Sequence, residues 1–91
     1  MRFAEELRFG AHAKKHRRYL LENIEKGRFQ PGAFLITEAE PPRLFEIYPS
    51  YWLLEPHFKE RDLLILGIGY GRPDTLRLLQ KMVEERLSRE E

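Results

Sequence analysis

Six consecutive apolar residues, Leu63–Ile68, constrain the fold of this chain more than any other feature of its sequence. A strand with apolar residues at alternate positions leaves one face to solvent, whereas a strand that is apolar throughout needs cover on both faces. This segment is therefore predicted to be the central strand of a sheet.

Two helices are predicted from the spacing of apolar residues, and they are available to cover that strand. The first spans Ala11–Lys26, and Gly27 ends it. One side of this helix is predicted from residues three or four positions apart, namely Ala13, Arg17, Leu20, Leu21 and Ile24. The second spans Pro73–Leu87, because proline suits the first position of a helix and Asp74 lies where the helix dipole favours an acid. Residues 88–91 are expected to form a frayed tail.

Three further strands are predicted, the first of them from an ambiguous pattern. Residues 2–9 fit both a strand and a helix, and we favour a strand that breaks at Gly10. Ala33–Thr37 and Leu44–Tyr48 are short apolar segments, and the short link between them favours an antiparallel hairpin. If residues 2–9 are a strand, the first three elements form a βαβ unit whose crossover is right-handed, provided that its strands are parallel.

The segment between the hairpin and the central strand is rich in aromatic residues and proline. Ser50 is expected to cap one helical turn, with Trp52 and Leu53 packed inward. Phe58–Asp62 is expected to be a polar connection.

These elements, in the order (β)αββ, turn, βα, predict a small α/β or α+β fold in a single domain, residues 1–91. The mixed sheet has three or four strands and forms a two-layer or three-layer sandwich with two main helices. The helices either lie on opposite faces or share one face, which leaves residues 48–58 or a second subunit to cover the other. We expect the second arrangement and a homodimer, because soluble monomers rarely expose a large apolar surface.

The composition excludes several classes of protein. There is no cysteine, so disulfides, thiolate zinc sites and thiol nucleophiles are excluded. No apolar segment approaches the ~18 residues of a membrane span, and the N-terminus lacks the apolar core of a signal peptide, so we expect a soluble, cytoplasmic protein. Eleven arginines and thirteen glutamates, with one asparagine and two glutamines, are typical of heat-adapted proteins.

Residues suited to catalysis are scarce, and the sequence favours a protein that is not an enzyme. We assign no catalytic residue, cofactor or metal. Neither serine lies in a G-x-S-x-G motif, and the glutamates of the central third are interpreted as surface residues. His12 and His16 have the helical spacing of a metal-binding pair, but the neighbouring cations oppose a divalent ion.

A glycine-rich segment between the central strand and the second helix is the candidate anion-binding site. Backbone N–H groups at a helix start bind phosphate, and Gly69, Gly71, Arg72 and Thr75 would form such a site. The spacing G-x-G-x-G departs from the dinucleotide-binding pattern G-x-G-x-x-G, and Asp74 would repel a phosphate. The alternative is structural, with glycines that relieve crowding and make a turn.

A basic stretch in the first helix is the candidate nucleic-acid site. Residues 1–30 carry eight basic and four acidic side chains, although the net charge of the chain is only +1. Lys14, Lys15 and Arg18 are the candidate contacts to phosphates. No RNA-recognition, zinc-finger or basic-zipper motif accompanies them, so the alternative is a solvated helix face.

Tyr48, Tyr51, Trp52 and Phe58 are the candidate interface residues, because Tyr and Trp are common anchors of protein interfaces. The alternative is that these rings cover one face of the sheet. The sequence therefore favours a small binding, accessory or regulatory domain that acts through protein–protein contacts. Nucleic-acid binding by residues 14–18 and phosphate-ligand binding at Gly67–Thr75 are the alternative functions.

Overall fold

The computed structural model describes residues 1–89, with every side chain but that of Lys59. It confirms a small α+β fold with one four-stranded mixed sheet in the order β1-β4-β2-β3. The strands are β1 (Arg2–Phe9), β2 (Ala33–Glu38), β3 (Phe45–Pro49) and β4 (Leu64–Tyr70). The helices are α1 (Ala11–Lys14), α2 (Arg17–Glu25), α3 (Pro56–Glu60) and α4 (Arg72–Arg89), and a 3₁₀ turn spans Ser50–Leu54.

Strand β4 lies inside the sheet, as its uninterrupted apolar run predicts. It pairs with β1 in parallel and with β2 in antiparallel orientation, and β2 and β3 form the predicted antiparallel hairpin. Because β4 lies between them, β1 and β2 are not neighbours, and they run in opposite directions. The predicted βαβ unit of the first three elements is therefore wrong.

Each face of the sheet has its own helical cover. On one face, α1, α2, the 3₁₀ turn and α3 bury Ala13, Leu20, Ile24, Leu53 and Phe58 together with side chains of β2 and β4. On the other face, α4 buries Leu78 and Met82 against Ile36, and Phe45, Ile47 and Leu66 are packed around them. The helices therefore lie on opposite faces. Both faces of the sheet are covered within residues 1–89, so the argument from an uncovered face, on which we expected a homodimer, is wrong.

The first predicted helix is broken in two. Ala11–Lys26 is helical up to Lys14 and again from Arg17, while His16 leaves helical geometry with φ −124° and ψ 20°. The break places the His16 ring edge-on to Tyr70, with ring centroids 5.5 Å apart, and His12 stacks on the same tyrosine at 5.0 Å.

The segment after the hairpin departs from its predicted packing. In a 3₁₀ turn, residues three apart share one face, and accordingly Ser50 and Leu53 are buried while Trp52 is 42% exposed. The prediction that Trp52 packs inward is wrong. Ser50 does not cap the turn but accepts from the backbone N–H of Gln30 and donates to its carbonyl oxygen.

The predicted polar connection is also wrong, because Phe58 lies in the short helix α3 and belongs to the core. At the other end of the chain, Ser88 and Arg89 continue α4 instead of fraying. Glu90 and Glu91, the rest of the expected tail, lie outside the described residues. Within residues 1–89, no helix is long and apolar enough to cross a membrane.

Candidate functional site

The glycine-rich segment is closed by its own neighbours. Asp74 is buried, and its carboxylate accepts hydrogen bonds from the backbone N–H groups of His12 at 2.9 Å, Ala13 at 3.1 Å and Tyr70 at 3.0 Å. Burial acts to raise the pKa of Asp74, but the three N–H donors together lower it below its ordinary value. An internal carboxylate thus takes the backbone N–H of Tyr70 in the glycine-rich segment, together with two N–H groups at the start of α1.

The four candidate anion-binding residues have largely structural contacts. Thr75 is buried and donates its hydroxyl to the carbonyl oxygen of Gly71, 2.8 Å away. A Cβ on Gly69 would lie 2.6 Å from the Cα of Thr75, so this glycine lets α4 pack directly on β4. Gly71 has φ +88°, a conformation that favours glycine. Only the Arg72 side chain is exposed, and these contacts favour the structural interpretation of the segment.

The basic candidates lie together on the surface around the helix break. Lys14, Lys15, Arg17 and Arg18 are all exposed, and within residues 1–89 none of them forms an ion pair. Arg17 was expected to follow the apolar side of a continuous helix. It is exposed because α2 begins only at that residue, after the chain has left the path of α1.

Four arginines elsewhere in the fold are paired with acids, and three of these pairs are close. Arg86 forms two hydrogen bonds with Glu38, at 2.6 Å and 3.2 Å, and Arg2 contacts Asp62 at 2.7 Å. Arg8 binds Glu85 in the same two-pronged way, which lowers the pKa of that glutamate. In the described structure the four cations around the helix break share the lack of an acidic partner with Arg28, Arg72 and Arg77, but these four lie together along one groove.

The aromatic candidates divide into a supporting layer and a surface layer. Phe58 is buried and Tyr48 is half-buried, with their ring centroids 5.0 Å apart. The exposed Trp52 packs on both, at 6.0 Å from Tyr48 and 5.9 Å from Phe58. Tyr51 is 55% exposed, so Tyr51 and Trp52 are the two predicted interface residues that reach the surface.

Two residues that the sequence did not single out extend this surface. Phe29 packs edge-on to Tyr51, with ring centroids 6.5 Å apart, and Leu54, at the end of the 3₁₀ turn, is 68% exposed. Phe29 lies far from the 3₁₀ turn in sequence, and no spacing pattern connects them. Leu54 is adjacent to the predicted group and could have been included with it. We call Phe29, Tyr51, Trp52 and Leu54 the aromatic patch.

The Tyr48 ring beneath the patch is held by polar contacts. Its hydroxyl donates to the carboxylate of Glu46, and the Arg61 guanidinium lies 5.8 Å from the ring centroid. Burial first, and then the hydrogen bond to Glu46, raise the pKa of Tyr48. This tyrosine is therefore a fixed support for Trp52.

The described residues give little support to a metal site or a small-molecule site. Among residues 1–89, no three His, Asp or Glu side chains are grouped so as to hold a metal ion. A cleft between β1 and α4, with the Arg8–Glu85 pair in its wall, has a volume of about 180 Å³, below the ~300–1,000 Å³ typical of small-molecule sites. A larger depression of about 570 Å³ beside Arg43 and Arg61 is lined mostly by charged side chains, whereas small-molecule pockets are mostly apolar. Comparison of the chain with protein-family models, curated proteins and solved structures finds no match.

Proposed function

We propose that this protein is a small binding module that acts through protein–protein contacts at the aromatic patch. The observation that carries the proposal is the clustering of exposed large apolar side chains. Tyr51, Trp52 and Leu54 are 55%, 42% and 68% exposed and lie within one turn, and Phe29 packs beside them. Tyr and Trp are enriched among the residues that carry most of the energy of protein interfaces.

The rings beneath the patch favour binding because they hold its anchor in place. Trp52 rests on Tyr48 and Phe58, and Tyr48 is held in turn by Glu46 and Arg61. A side chain that is already ordered loses little conformational entropy when a partner docks on it. The patch is therefore suited to a contact made without rearrangement of the fold.

We propose a second copy of the chain as the partner. The exposed Arg28 precedes Phe29 in the chain, and the exposed Glu55 follows Leu54, so the patch has a cation next to one of its residues and an acid next to another. In a two-fold contact, the patch of one copy lies on the patch of the other after a rotation of 180°. In this arrangement Arg28 of each copy would meet Glu55 of the other. The net charge of +1 adds little repulsion between the two copies.

Trp52 is the only tryptophan, and its fluorescence reports on the patch. We expect its emission to move to longer wavelength as the wild-type protein is diluted from micromolar to nanomolar concentration, because dissociation exposes the indole to water. Leu54→Glu should give the long-wavelength emission at every concentration. Leu76→Glu, which changes a 48% exposed leucine of α4, is the matched control and should behave as wild type. Emission that does not depend on concentration would contradict the proposal.

We further propose that the module works in the cytoplasm of a heat-adapted cell. The lack of cysteine and the high content of arginine and glutamate support this proposal. Domains of mesophilic origin unfold at about 45–65 °C, so we expect a midpoint above that range. A midpoint within it, measured by circular dichroism, would contradict the heat adaptation.

A further inference from the structure

We propose that Lys14–Tyr19, which we call the basic segment, is a second binding site that takes single-stranded nucleic acid. It is distinct from the aromatic patch. The basic segment presents six consecutive exposed residues, Lys14, Lys15, His16, Arg17, Arg18 and Tyr19. Four of them carry a full positive charge, and the segment is therefore the most concentrated positive charge in the chain.

The charge of the basic segment is available to an external anion. In the described structure, Lys14, Lys15, Arg17 and Arg18 have no ion pairs, whereas Arg2, Arg8, Arg43 and Arg86 are each bound to an acid. A cation that already binds an internal carboxylate would have to give up that contact before it could bind a phosphate. The cations of the basic segment have no such contact to lose.

The helix break gives the segment the shape of a strand-binding surface. Lys14 ends α1, Lys15 lies in the turn and Arg17 begins α2, so the cations are spread over two helix axes. They line a shallow, open groove together with Tyr19 and one acid, Glu22. A flexible phosphate backbone can follow such a bent row of charges, and four cations on it would neutralise about four phosphates.

Tyr19 indicates that the polyanion is a single-stranded nucleic acid. Its side chain is 63% exposed directly beside Arg18, and an exposed ring among cations stacks on unpaired bases in proteins that bind single strands. An anionic membrane fits less well, because helices that bind membranes lay an apolar face into the lipid. The apolar face of α2, with Leu20 and Ile24, is instead buried in the core.

The test measures fluorescence anisotropy of labelled oligouridine with the full-length protein over a range of salt concentrations. With about four phosphate contacts, the slope of log affinity against log salt should be roughly −3 for a single strand. Lys14→Glu with Arg18→Glu should abolish the binding. Arg77→Glu with Lys81→Glu, an equal charge reversal on exposed residues of α4, should leave most of it.

Tyr19 separates stacking from charge attraction. Tyr19→Ala should lower the affinity about tenfold, the loss expected for one stacked base, while Tyr19→Phe should keep it. Circular dichroism verifies that each variant is folded. The proposal is overturned if oligouridine does not bind at low salt, if binding survives the Lys14/Arg18 reversal, or if duplex RNA or anionic phosphatidylserine vesicles bind more tightly than the single strand.

Discussion

The carboxylate of Asp74 occupies the space that a side chain on Gly10 would need, since a Cβ built on Gly10 would overlap it. This close approach lets one aspartate accept N–H groups from the start of α1 and from the end of β4. Three elements, α1, β4 and α4, are thereby joined at one buried charge. Gly10 is conformationally ordinary, with φ −62°, so close packing rather than backbone geometry requires the glycine.

Replacing Asp74 should destabilise the fold. Asp74→Asn has a similar shape but only one acceptor oxygen, so at least one buried N–H loses its partner. We expect a loss of about 1–3 kcal/mol in the free energy of unfolding, measured by urea denaturation. The control is Asp62→Asn, which changes a 76% exposed carboxylate in a surface pair with Arg2 and should cost less than about 1 kcal/mol. Equal effects of the two changes would contradict the role of Asp74.

The same carboxylate should make stability depend on acid pH. The pKa of Asp74 is lower in the folded protein than its ordinary value of 3.8, so the unfolded chain takes up this proton more readily than the folded one. The stabilisation by Asp74 is complete well above pH 3.8 and is lost as the pH falls through the lower, folded pKa. In urea denaturation from pH 7 to pH 2, the difference between wild type and Asp74→Asn should shrink below about pH 4. A difference that stays constant over this range would be inconsistent with the lowered pKa.

The core around β4 supplies a further prediction. Ile65 is fully buried, and its neighbours in the sheet are Phe3 of β1 and Thr37 of β2. Ile65→Ala should cost about 2–5 kcal/mol because it removes buried methyl groups and leaves a cavity. Leu76→Ala, at a 48% exposed position, should stay within about 0.5 kcal/mol of wild type. Hydrogen exchange should be slowest in β4, and a cost below about 1 kcal/mol for Ile65→Ala would show that this strand is not the centre of the fold.

Local patterns were sufficient to predict most of the elements. The uninterrupted apolar run of β4 requires cover on two faces, and the short link after β2 favours a hairpin. Helix α4 follows from its apolar spacing and its N-terminal proline. Each of these features depends on residues that are near one another in the chain, where side-chain periodicity is informative.

The arrangement of the elements was not predictable in the same way. The pattern of residues 2–9 fits a strand or a helix, and even as a strand it does not indicate which strand it joins. The parallel pairing of β1 with β4 joins Arg2 to Leu64, and it is this pairing that brings Gly10 beside Asp74. Asp74 was therefore interpreted as a favourable charge in its own helix and as a group that repels phosphate, but not as a hydrogen-bond acceptor for α1.

The exposure of some candidate site residues was predicted correctly and that of others was not. The errors again come from geometry that local sequence patterns do not show. Lys14, Lys15 and Arg18 are exposed as their charge implies, whereas Arg17 was misplaced because the sequence gives no sign of the helix break. Trp52 was expected to pack inward with Leu53, and it was also a candidate interface residue. Its exposure depends on the 3₁₀ geometry of the turn, which places Leu53 inward instead.

Sedimentation equilibrium of the wild-type protein tests the central claim, self-association through the aromatic patch, most directly. At high micromolar concentration we expect a mass twice the 11.0 kDa of one chain, falling towards 11.0 kDa on dilution. Leu54→Glu should remain at the mass of one chain under the same conditions, and Leu76→Glu should not. A wild-type mass of 11.0 kDa at high micromolar concentration would contradict the account.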